Sequence, residues 1–424
     1  MNSNFYKIKN GIRWRKEGDS LLLLHPHERR LLIFNKRNFG SISKDGVIKN
    51  NGNNLKFINF LKKVDALNCS EEINNSDFNV DSKLISDISA PLNVTIQITN
   101  KCNLNCIHCH NNKNKLLKVF PFERFQKLIN ELNELNVFNI NLSGGEPLIV
   151  DNVVDFVGYV IDKGMNCTMS TNLTLLNEKL TKELASAGLK KVHISLDSFD
   201  PYTHNMIRGV DNSFERMEKN LHSLRDYGIQ YTMVTTLIDQ SPDHYAKTID
   251  FAYYSGASAH KTNTLVPQGK SLNGLNRKEQ YNISEYIKVW RGKRKQYIGK
   301  MSILAETMFS IQMNESIANK DRLPEILRIG CPAGILTCGI NESGDVIPCS
   351  FFTSLILGNV FENKFYDIWH NTLMSNLRRR DKFKVCGECQ YCYSCGGCRA
   401  RAFGKMGSFD SEDPYCFKNN NYEK

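Results

Sequence analysis

The sequence predicts an α/β fold, because predicted strands and helical patterns alternate through the middle of the chain. Repeated β/α units build a parallel sheet with right-handed crossovers. Six units are predicted, fewer than the eight of a closed barrel, so we expect a partial, TIM-like (β/α)6 barrel. A small N-terminal α+β domain and a Cys-rich C-terminal domain complete the architecture. The predicted domains are residues 1–88, the barrel 89–265, a connecting segment with helices 266–330, and the Cys-rich domain 331–424.

Each element of the barrel follows from a local pattern. Apolar and β-branched runs predict strands at Val94–Thr99, Phe138–Leu142, Cys167–Ser170, Lys191–Leu196, Tyr231–Thr236 and Ser258–Thr262. Apolar residues at helical spacing predict helices at Phe122–Leu135, Val153–Asp162, Leu176–Ala187, Phe214–Tyr227 and His244–Ser255. Ligands in such folds bind at the carboxyl ends of the strands, so polar residues that directly follow a predicted strand are the functional candidates.

The N-terminal region has a different texture. Short apolar runs at Leu21–Leu24 and Leu31–Phe34 alternate with turn residues, and a helical pattern covers Leu55–Leu67. We therefore expect two or three strands followed by helices within residues 5–70. The polar stretch Ser70–Ser89, which is rich in Asn, Ser and Asp, is typical of a linker.

Composition excludes several classes of protein. The chain has 424 residues, of which 41% are apolar, so it can bury a substantial core. No apolar run approaches the roughly 20 residues that span a bilayer, and Leu21–Leu24 is too short for a signal peptide. We therefore expect a cytoplasmic protein with no membrane partner. In a reducing compartment its fourteen cysteines are expected to bind metal rather than form disulfides.

The charge balance adds a weaker constraint. A formal net charge of +11 favours an anionic partner, such as an acidic peptide or a reduced electron carrier. No arginine-rich run or basic patch interleaved with aromatic residues is present in the sequence. Nucleic acid is therefore not expected as a partner.

Twelve of the fourteen cysteines fall in two groups, and Cys69 and Cys167 stand apart as expected small apolar residues. The first group is Cys102, Cys106 and Cys109, directly after the first predicted barrel strand. Soft thiolates suit iron–sulfur clusters or zinc. A [4Fe–4S] cube held by three thiolates keeps one iron open, as catalytic metal sites do. A zinc site would need a fourth ligand, such as the imidazole of His108 or His110.

A glycine pair follows the second predicted strand, in the sequence Ser-Gly-Gly-Glu-Pro at residues 143–147. Glycines let the backbone approach a ligand closely, because they have no Cβ. The carboxylate of Glu146 offers an acceptor to an ammonium group. This motif alone is weak, but it lies one β/α unit after the CxxxCxxC spacing, and the combination is far more specific.

Together these motifs resemble the radical S-adenosylmethionine (SAM) superfamily over residues 92–264. The resemblance implies reductive cleavage of SAM to a 5′-deoxyadenosyl radical, with reduced flavodoxin or ferredoxin as the electron donor. It also implies that Cys102, Cys106 and Cys109 bind a [4Fe–4S] cluster whose open iron takes the methionyl group. The SAM contacts carried over are Gly144, Gly145 and Glu146 at the amino group, His108 beside the adenine, Ser195 and Asp197 at the ribose, Arg208 at the carboxylate, and Ser170 and Asn172 at the end of the third strand. For His108 the alternative is a side chain that faces solvent. For Ser170, Asn172, Ser195, Asp197 and Arg208 it is a capping or surface role.

The second cysteine group resembles the SPASM extension, which carries auxiliary [4Fe–4S] clusters in peptide- and protein-modifying radical enzymes. Three clusters are therefore expected in all. Cys392 is an additional cysteine within the run, and the final spacing of Cys395 to Cys398 is one residue shorter than usual, so the ligand assignments among Cys386–Cys398 stay open. The two CxxC pairs lie too close together for a zinc ribbon, although zinc remains the alternative metal. The implied ligands are Cys331, Cys338, Cys349 and Cys398 for one cluster, and Cys386, Cys389, Cys395 and Cys416 for the other, with Cys392 as a substitute ligand.

The N-terminal region resembles the winged-helix-like domain that binds the leader peptide in maturases of ribosomally made peptides. There, the leader adds a strand to a sheet edge. The resemblance implies that the substrate is a precursor peptide, which receives a crosslink such as a thioether. The C-terminal stretch Cys395–Cys416 is also similar to radical enzymes that trim side chains of haem precursors, so a tetrapyrrole is the alternative substrate.

Overall fold

The computed structural model describes most of the chain, and the linker predicted at Ser70–Ser89 lies largely outside the described residues. No helix in the described part of the chain is long and apolar enough to cross a membrane. The described residues are 5–9, 12–17, 20–24, 31–40, 42–43, 46–69, 88–111, 116–271, 283–305, 330–389, 391–392 and 395–416.

The N-terminal region consists of two small antiparallel sheets and two helices. One sheet has the strand order β5-β1-β6 and the other β2-β3-β4. It contains more strands than predicted, because β5 and β6 return to pair with both edges of β1. The elements are β1 (Phe5–Ile8), β2 (Trp14–Glu17), β3 (Ser20–Leu24), β4 (Leu31–Asn35), α1 (Lys36–Phe39), β5 (Val47–Lys49), α2 (Leu55–Lys63) and β6 (Leu67–Cys69).

The helical pattern predicted over Leu55–Leu67 covers two elements in the structure. Helix α2 ends at Lys63, and strand β6 begins at Leu67. Between them Asp65 has a left-handed φ of 56°, which an α-helix does not tolerate. The prediction extended the helix because Leu67 continues the apolar pattern, but in the structure Leu67 is buried as part of a strand.

The central domain confirms the predicted strands and helices, with ends that move by one or two residues. One further helix, α6, follows the fourth barrel strand. Asp200 caps α6 by accepting a hydrogen bond from the Thr203 amide at 2.8 Å, and the left-handed Gly209 ends the helix. The elements are β7 (Asn93–Thr99), α3 (Phe122–Glu134), β8 (Asn139–Gly144), α4 (Val153–Asp162), β9 (Asn166–Thr171), α5 (Glu178–Ser186), β10 (Lys191–Ser195), α6 (Pro201–Arg208), α7 (Ser213–Asp226), β11 (Gln230–Leu237), α8 (Pro242–Tyr254) and β12 (Ala259–Thr264).

The barrel strands lie side by side in chain order within one open sheet. Its full order is β13-β12-β11-β10-β9-β8-β7-β14-β15-β16, so the sheet is wider than the six strands predicted. Helix α9 (Ile283–Gln296) and strand β13 (Ser302–Ala305) come from the predicted connecting segment. Strand β14 (Thr337–Ile340) comes from the Cys-rich region and pairs in parallel with β7. The six predicted strands are therefore flanked by β13 beside β12 and by β14 beside β7, and both added strands come from later parts of the chain.

The Cys-rich region contains few regular elements. It packs on the barrel through Trp369, which is fully buried and donates its Nε1–H to the carbonyl of Ile88 at 2.9 Å. The fold is thus mixed α/β, with a partial barrel, a small N-terminal domain and a Cys-rich C-terminal region, as predicted. The remaining elements are β15 (Asp345–Ile347), β16 (Gly358–Asn359), α10 (Phe365–Trp369), α11 (Thr372–Arg378) and α12 (Arg399–Met406).

Candidate active site

A cavity of about 520 Å³ opens at the carboxyl ends of the barrel strands and continues into the barrel. Cys102, Cys106 and Cys109 line its mouth, on the loop that follows β7. Ser350 and Phe351 of the Cys-rich region also line it, so that region forms part of the wall. The structure therefore brings the first cysteine group to the edge where ligands of such sheets bind.

The cysteine loop presents its sulfurs to hydrogen-bond donors. The Leu104 amide donates to Cys102 Sγ at 3.4 Å, and Arg208 Nη1 donates to Cys106 Sγ at 3.7 Å. Burial raises the pKa of Cys102 to about 11, although the Leu104 amide lowers it. Iron coordination deprotonates a thiol, and N–H groups aimed at sulfur stabilise the resulting charge. These donors and three thiols fit a [4Fe–4S] cluster with one open iron.

The glycine loop packs directly against the start of the cysteine loop. The amide of Gly145 donates to the carbonyl of Thr99 at 2.7 Å. A Cβ at Gly144 would collide with the Thr99 carbonyl, and one at Gly145 would collide with the Lys101 carbonyl. Gly144 also has a φ of 144°, which side chains rarely adopt. Two glycines are thus needed for the two loops to meet at the cavity wall.

Glu146 lies behind that wall and does not line the cavity. Its carboxylate is fully buried and accepts hydrogen bonds from the Thr171 hydroxyl at 2.6 Å and from the amides of Asn172 at 2.7 Å and Leu148 at 3.1 Å. Burial raises the pKa of Glu146 to about 7, against the effect of these donors. The side chain therefore ties the glycine loop to the end of β9. Its predicted contact with the amino group of SAM stays a prediction.

Asp197 is likewise buried behind the cavity. Its carboxylate pairs with Arg208 Nη2 at 2.8 Å and lies 3.6 Å from His108 Nε2, and it accepts from the Thr236 amide at 3.1 Å. Burial alone would raise the pKa of Asp197, but the charges of Arg208 and His108 hold it below the usual range. Asp197 thus orients two residues of the wall, and its predicted ribose contact stays untested.

The other predicted SAM contacts line the cavity together. His108 and Arg208 lie near the cysteines, and Ser170, Asn172 and Ser195 follow or end their strands. The side-chain Nδ2 of Asn172 donates to Oδ1 of Asn103 in the cysteine loop at 3.0 Å. These five side chains therefore face one space, which is large enough for a small-molecule cofactor.

The prediction missed the polar interior of the barrel. Inward-facing positions are polar, whereas the alternate positions of the same strands pack against the helices as the apolar core. A barrel interior is usually filled with branched apolar side chains. Polar–apolar alternation along β7 to β10 was the sequence signal, because buried parallel strands are normally apolar on both faces. The missed residues are Asn93, Thr95, Asn139, Asn141, Thr168, His193, Lys261 and Asn263.

Five cysteines of the second group lie in the segment from Cys386 to Cys398. The amides of Tyr391 and Gly397 donate to Cys389 Sγ at 3.5 Å and Cys395 Sγ at 3.3 Å, as Leu104 does to Cys102. The amide of Cys331 bonds to the Cys395 carbonyl at 3.0 Å. Burial is the largest cause that raises the pKa of Cys395 to about 12, the nearby charge of Asp413 acts in the same direction, and the Gly397 amide opposes them. These thiols again have donors suited to thiolates. No three His, Cys, Asp or Glu side chains of the described residues converge as they would around a single metal ion.

Cys338 differs from its predicted partners. It lies on β14, is fully buried, and belongs to the apolar core of the barrel. Burial raises its pKa strongly, and Arg378 is the charged side chain that opposes this. Cys349 and Cys398 also contact that core, but both are partly exposed. The structure gives Cys338 the setting of a packed apolar residue, and its role as a ligand stays a prediction.

Comparison with known proteins gives matches to two family models. The radical SAM superfamily matches residues 96–252, and the iron–sulfur cluster-binding domain called SPASM matches residues 331–393. The chain contains a radical SAM domain followed by a SPASM domain. The cysteine and glycine loops lie within the radical SAM domain, whereas Cys395, Cys398 and Cys416 lie beyond the end of the SPASM match. The two domains imply SAM and [4Fe–4S] clusters as cofactors of a radical SAM enzyme.

Similar proteins have names that point to different activities. The AdoMet-dependent heme synthase of Methanosarcina barkeri is 28% identical over 347 residues, which cover 78% of this chain and 98% of that protein. The mycofactocin maturase MftC of Mycolicibacterium smegmatis is 25% identical and covers 78% of this chain and 83% of its own. Streptococcus suis SuiB, solved with its precursor peptide SuiA, has a TM-score of 0.72 at 17% identity over 96% of this chain and 98% of its own. The last match shows a shared fold.

Proposed function

We propose that this radical SAM enzyme abstracts hydrogen from a ribosomally made precursor peptide and installs a crosslink such as a thioether. Bound together, the cluster and SAM supply the chemistry: one-electron reduction of the sulfonium breaks a C–S bond and yields methionine and a 5′-deoxyadenosyl radical. The observation that carries the proposal is the position of Cys102, Cys106 and Cys109 at the mouth of the cavity at the carboxyl ends of the barrel strands.

The chain's own residues would orient SAM against those cysteines. Arg208 is proposed to hold the methionyl carboxylate, since it lines the cavity beside Cys106. The backbone of Gly144 and Gly145 would approach the amino group. His108, Ser170, Asn172 and Ser195 would contact the adenosyl part. For Glu146 and Asp197 we propose a supporting role, because both carboxylates are bound by protein groups behind the wall.

The C-terminal cysteines are proposed to hold two further clusters. The first set is Cys331, Cys338, Cys349 and Cys398, and the second is Cys386, Cys389, Cys395 and Cys416, with Cys392 as a substitute ligand. The amide–sulfur bonds at Cys389 and Cys395 support the second set. Cys338 has the least support, because its thiol packs in the apolar core, and Cys392 is a structural neighbour that could replace a missing ligand.

Iron content tests the cluster assignments. Anaerobically reconstituted protein is expected to bind about twelve irons, from three four-iron clusters. Replacing Cys102, Cys106 and Cys109 by Ala should remove about four irons and all formation of 5′-deoxyadenosine, because one cluster holds SAM. Cys167→Ala is the matched control, since that thiol is buried in the core away from the loop. Persistent 5′-deoxyadenosine from the triple variant would refute the assignment.

The N-terminal domain supports a peptide as the substrate. Strand β4 is an edge of its sheet among the described residues, and Leu31, Leu32, Ile33 and Phe34 are each only partly buried. An apolar edge strand can pair with an extended peptide through its free backbone groups. We propose that the leader of the precursor peptide adds a strand beside β4, which makes residues 1–88 a recognition domain.

A tetrapyrrole substrate is the second candidate. The 28% identity to a heme synthase favours it, since that match covers 98% of the relative. The sequence match to the maturase MftC covers the same 78% of this chain, however. The fold of SuiB, which was solved with a precursor peptide, matches 96% of this chain. An added N-terminal recognition domain has an obvious use for a peptide and none for a small planar substrate.

The two substrates can be separated directly. The protein would be incubated with SAM and dithionite, together with either a short peptide encoded beside its gene or iron-coproporphyrin. We expect a mass change in the peptide alone. Proline would be placed in turn at Leu32 and at Ile33. Of these two positions, the one whose N–H points away from β3 should lose peptide binding when it carries proline, while that variant stays folded and still cleaves SAM. Modification of the porphyrin, with no peptide binding, would favour the second candidate.

The electron donor and compartment complete the proposal. A reduced flavodoxin or ferredoxin is an acidic protein, and the net charge of +11 favours its approach. Thiolates that ligate iron require a reducing compartment, so we propose that the enzyme works in the cytoplasm.

A further inference from the structure

Two buried arginines donate to cysteine sulfurs, one in each cysteine group. Arg208 Nη1 lies 3.7 Å from Cys106 Sγ, and Arg399 Nη2 lies 3.6 Å from Cys386 Sγ. Both guanidinium groups are almost inaccessible, at 6% and 2% exposure. The two contacts are alike in geometry, but the surroundings of the two cations differ.

Arg208 carries its counter-charge with it. Its Nη2 pairs with the fully buried carboxylate of Asp197 at 2.8 Å. A carboxylate this close offsets part of the guanidinium charge that reaches the cluster ligands. The Cys102 loop therefore receives a hydrogen bond from Arg208, but less net positive charge than an unpaired arginine would bring.

Arg399 has neutral partners instead. Its Nη1 donates to the carbonyls of Phe409 at 2.7 Å and Ser411 at 2.6 Å, and the Phe383 ring lies 4.9 Å from its Cζ. The neighbouring carboxylate of Asp413 is held by Arg401, through Nε at 2.9 Å and Nη2 at 2.8 Å. No carboxylate among the described residues pairs with Arg399, so it brings an uncompensated positive charge to Cys386.

The surrounding domain adds to this charge. Between residues 378 and 416, the buried charged side chains among the described residues are four arginines and one aspartate. They are Arg378, Arg380, Arg399, Arg401 and Asp413. Arg380 also reaches the cysteine group, since its Nη2 donates to the carbonyl of Cys331. A cluster with four thiolates is anionic, so the domain supplies the opposite charge.

We propose that Arg399 holds the cluster ligated by Cys386 at a higher reduction potential than the cluster of the Cys102 loop. Reduction adds one negative charge to a cluster. Buried cations and hydrogen bonds to sulfur stabilise the reduced form more than the oxidised form, which raises the potential. The inference rests on the cluster ligands of the proposed function. It makes the C-terminal cluster the better electron acceptor of the two.

Redox titration of the full-length reconstituted protein, followed by electron paramagnetic resonance, tests the inference. Arg399→Gln should move one C-terminal midpoint potential to a more negative value and leave the Cys102-loop cluster unchanged. Arg399→Lys keeps the charge without the fork of donors, so its midpoint should lie between those of the wild type and Arg399→Gln. Arg379→Gln is the matched control, because Arg379 belongs to the same domain but its side chain is 53% exposed. The signals are assigned by repeating the titration with Cys102, Cys106 and Cys109 replaced by Ala.

Two results would overturn the inference. One is an unchanged C-terminal midpoint in Arg399→Gln with full iron content, and the other is a wild-type protein whose C-terminal clusters are both harder to reduce than the Cys102-loop cluster. If Arg399→Gln loses iron, Arg399→Lys decides, since an unchanged midpoint there contradicts the proposal equally. Failure of the proposed function looks different: Cys386→Ala and Cys389→Ala would then remove no iron at all.

Discussion

At the scale of single residues, Arg208 connects the parts of the candidate active site. It lines the cavity, donates to Cys106 Sγ and pairs with Asp197, which also lies beside His108. A buried carboxylate in this position fixes the guanidinium more firmly than solvent would. The pair therefore positions a residue that the sequence marked only as a candidate for the methionyl carboxylate.

Removing the Asp197 charge should destabilise the barrel. Asp197→Asn leaves the buried guanidinium of Arg208 without its counter-ion, and such losses cost about 3–5 kcal/mol. Chemical denaturation of the apoprotein measures the effect. The control is Asp243→Asn, which breaks an exposed pair with Lys247 at 2.8 Å and should cost less than about 1 kcal/mol. Equal free energies of unfolding for Asp197→Asn and wild type would show that the ion pair of Asp197 with Arg208 contributes no more to stability than an exposed pair does.

Glu146 should make stability depend on pH. Its folded-state pKa of about 7 lies above the unfolded value near 4.5, so the fold favours the protonated acid. This stabilisation is fully present below the unfolded pKa and is lost as pH rises through about 7, by roughly 3 kcal/mol in all. Glu146→Gln should flatten the dependence between about pH 4.5 and 7.

The measurement is the free energy of unfolding of wild type and variant across that pH range. Glu218→Gln, a change at an exposed helix position, is the matched control and should preserve the wild-type slope. Parallel pH profiles for wild type and Glu146→Gln would mean that the hydrogen bonds from Thr171, Asn172 and Leu148 outweigh burial.

At the scale of elements, the end of α6 supports the cysteine loop. The amides of Asn105 and Ile107 donate to the carbonyls of Arg208 and Ile207, each at 3.0 Å. Gly209 ends the helix with a φ of 67°, and a Cβ there would lie 2.6 Å from the Asn105 carbonyl. The position of the loop thus depends on a glycine that lies far away in sequence.

Gly209→Ala should displace the cysteine loop and lower the iron bound by its cluster. Gly228→Ala is a matched control, because Gly228 has the same φ of 67° but nothing lies within 4 Å of its added Cβ. Both variants should lose about 1 kcal/mol from backbone strain. Only Gly209→Ala should lose iron in the presence of intact C-terminal clusters. Equal iron content in the two variants would contradict this packing argument.

At the scale of the whole molecule, two arginines attach the N-terminal domain to the barrel. Arg13 donates to the carbonyls of Val137 at 3.0 Å and Lys163 at 2.8 Å. Arg15, in β2, donates to Ala90 at 2.8 Å. These carbonyls precede β7, β8 and β9, so the domain binds the amino-terminal ends of the strands, opposite the cysteine loop. A peptide bound at β4 would have to extend around the barrel to reach the cavity.

Arg13→Ala should loosen that attachment without unfolding either part. Alanine cannot make the hydrogen bonds that Arg13 makes to the barrel. Amide hydrogen exchange should therefore become faster in residues 5–69 and in the loops at 137 and 163. The content of iron should stay unchanged, because the cysteine loop lies at the other end. Arg37→Ala, an exposed position on α1, should leave exchange as in the wild type. Unaltered exchange in Arg13→Ala would show that apolar contacts alone attach the domain.

Local patterns in the sequence were enough to predict the repeating part of the fold. The strands β7 to β12 and the helices between them follow from hydrophobic periodicity, because each element buries one face against its neighbours in chain order. The cysteine and glycine loops were found by spacing, since both motifs lie within a few consecutive residues. The strands β13 and β14, which flank the six predicted strands, were missed, because they come from later parts of the chain and no local pattern marks them.

Chain order and residue type by themselves determined the parallel barrel, the two cysteine groups and the kind of cofactor they suit. The tertiary structure alone decided that Glu146 and Asp197 lie behind the wall, that Cys338 packs in the core, and that Arg399 meets Cys386 without a counter-charge. The physical reason is that burial and ion pairing depend on which groups meet in space. Periodicity records how one segment faces its immediate neighbours, and it carries no information about partners a hundred residues away.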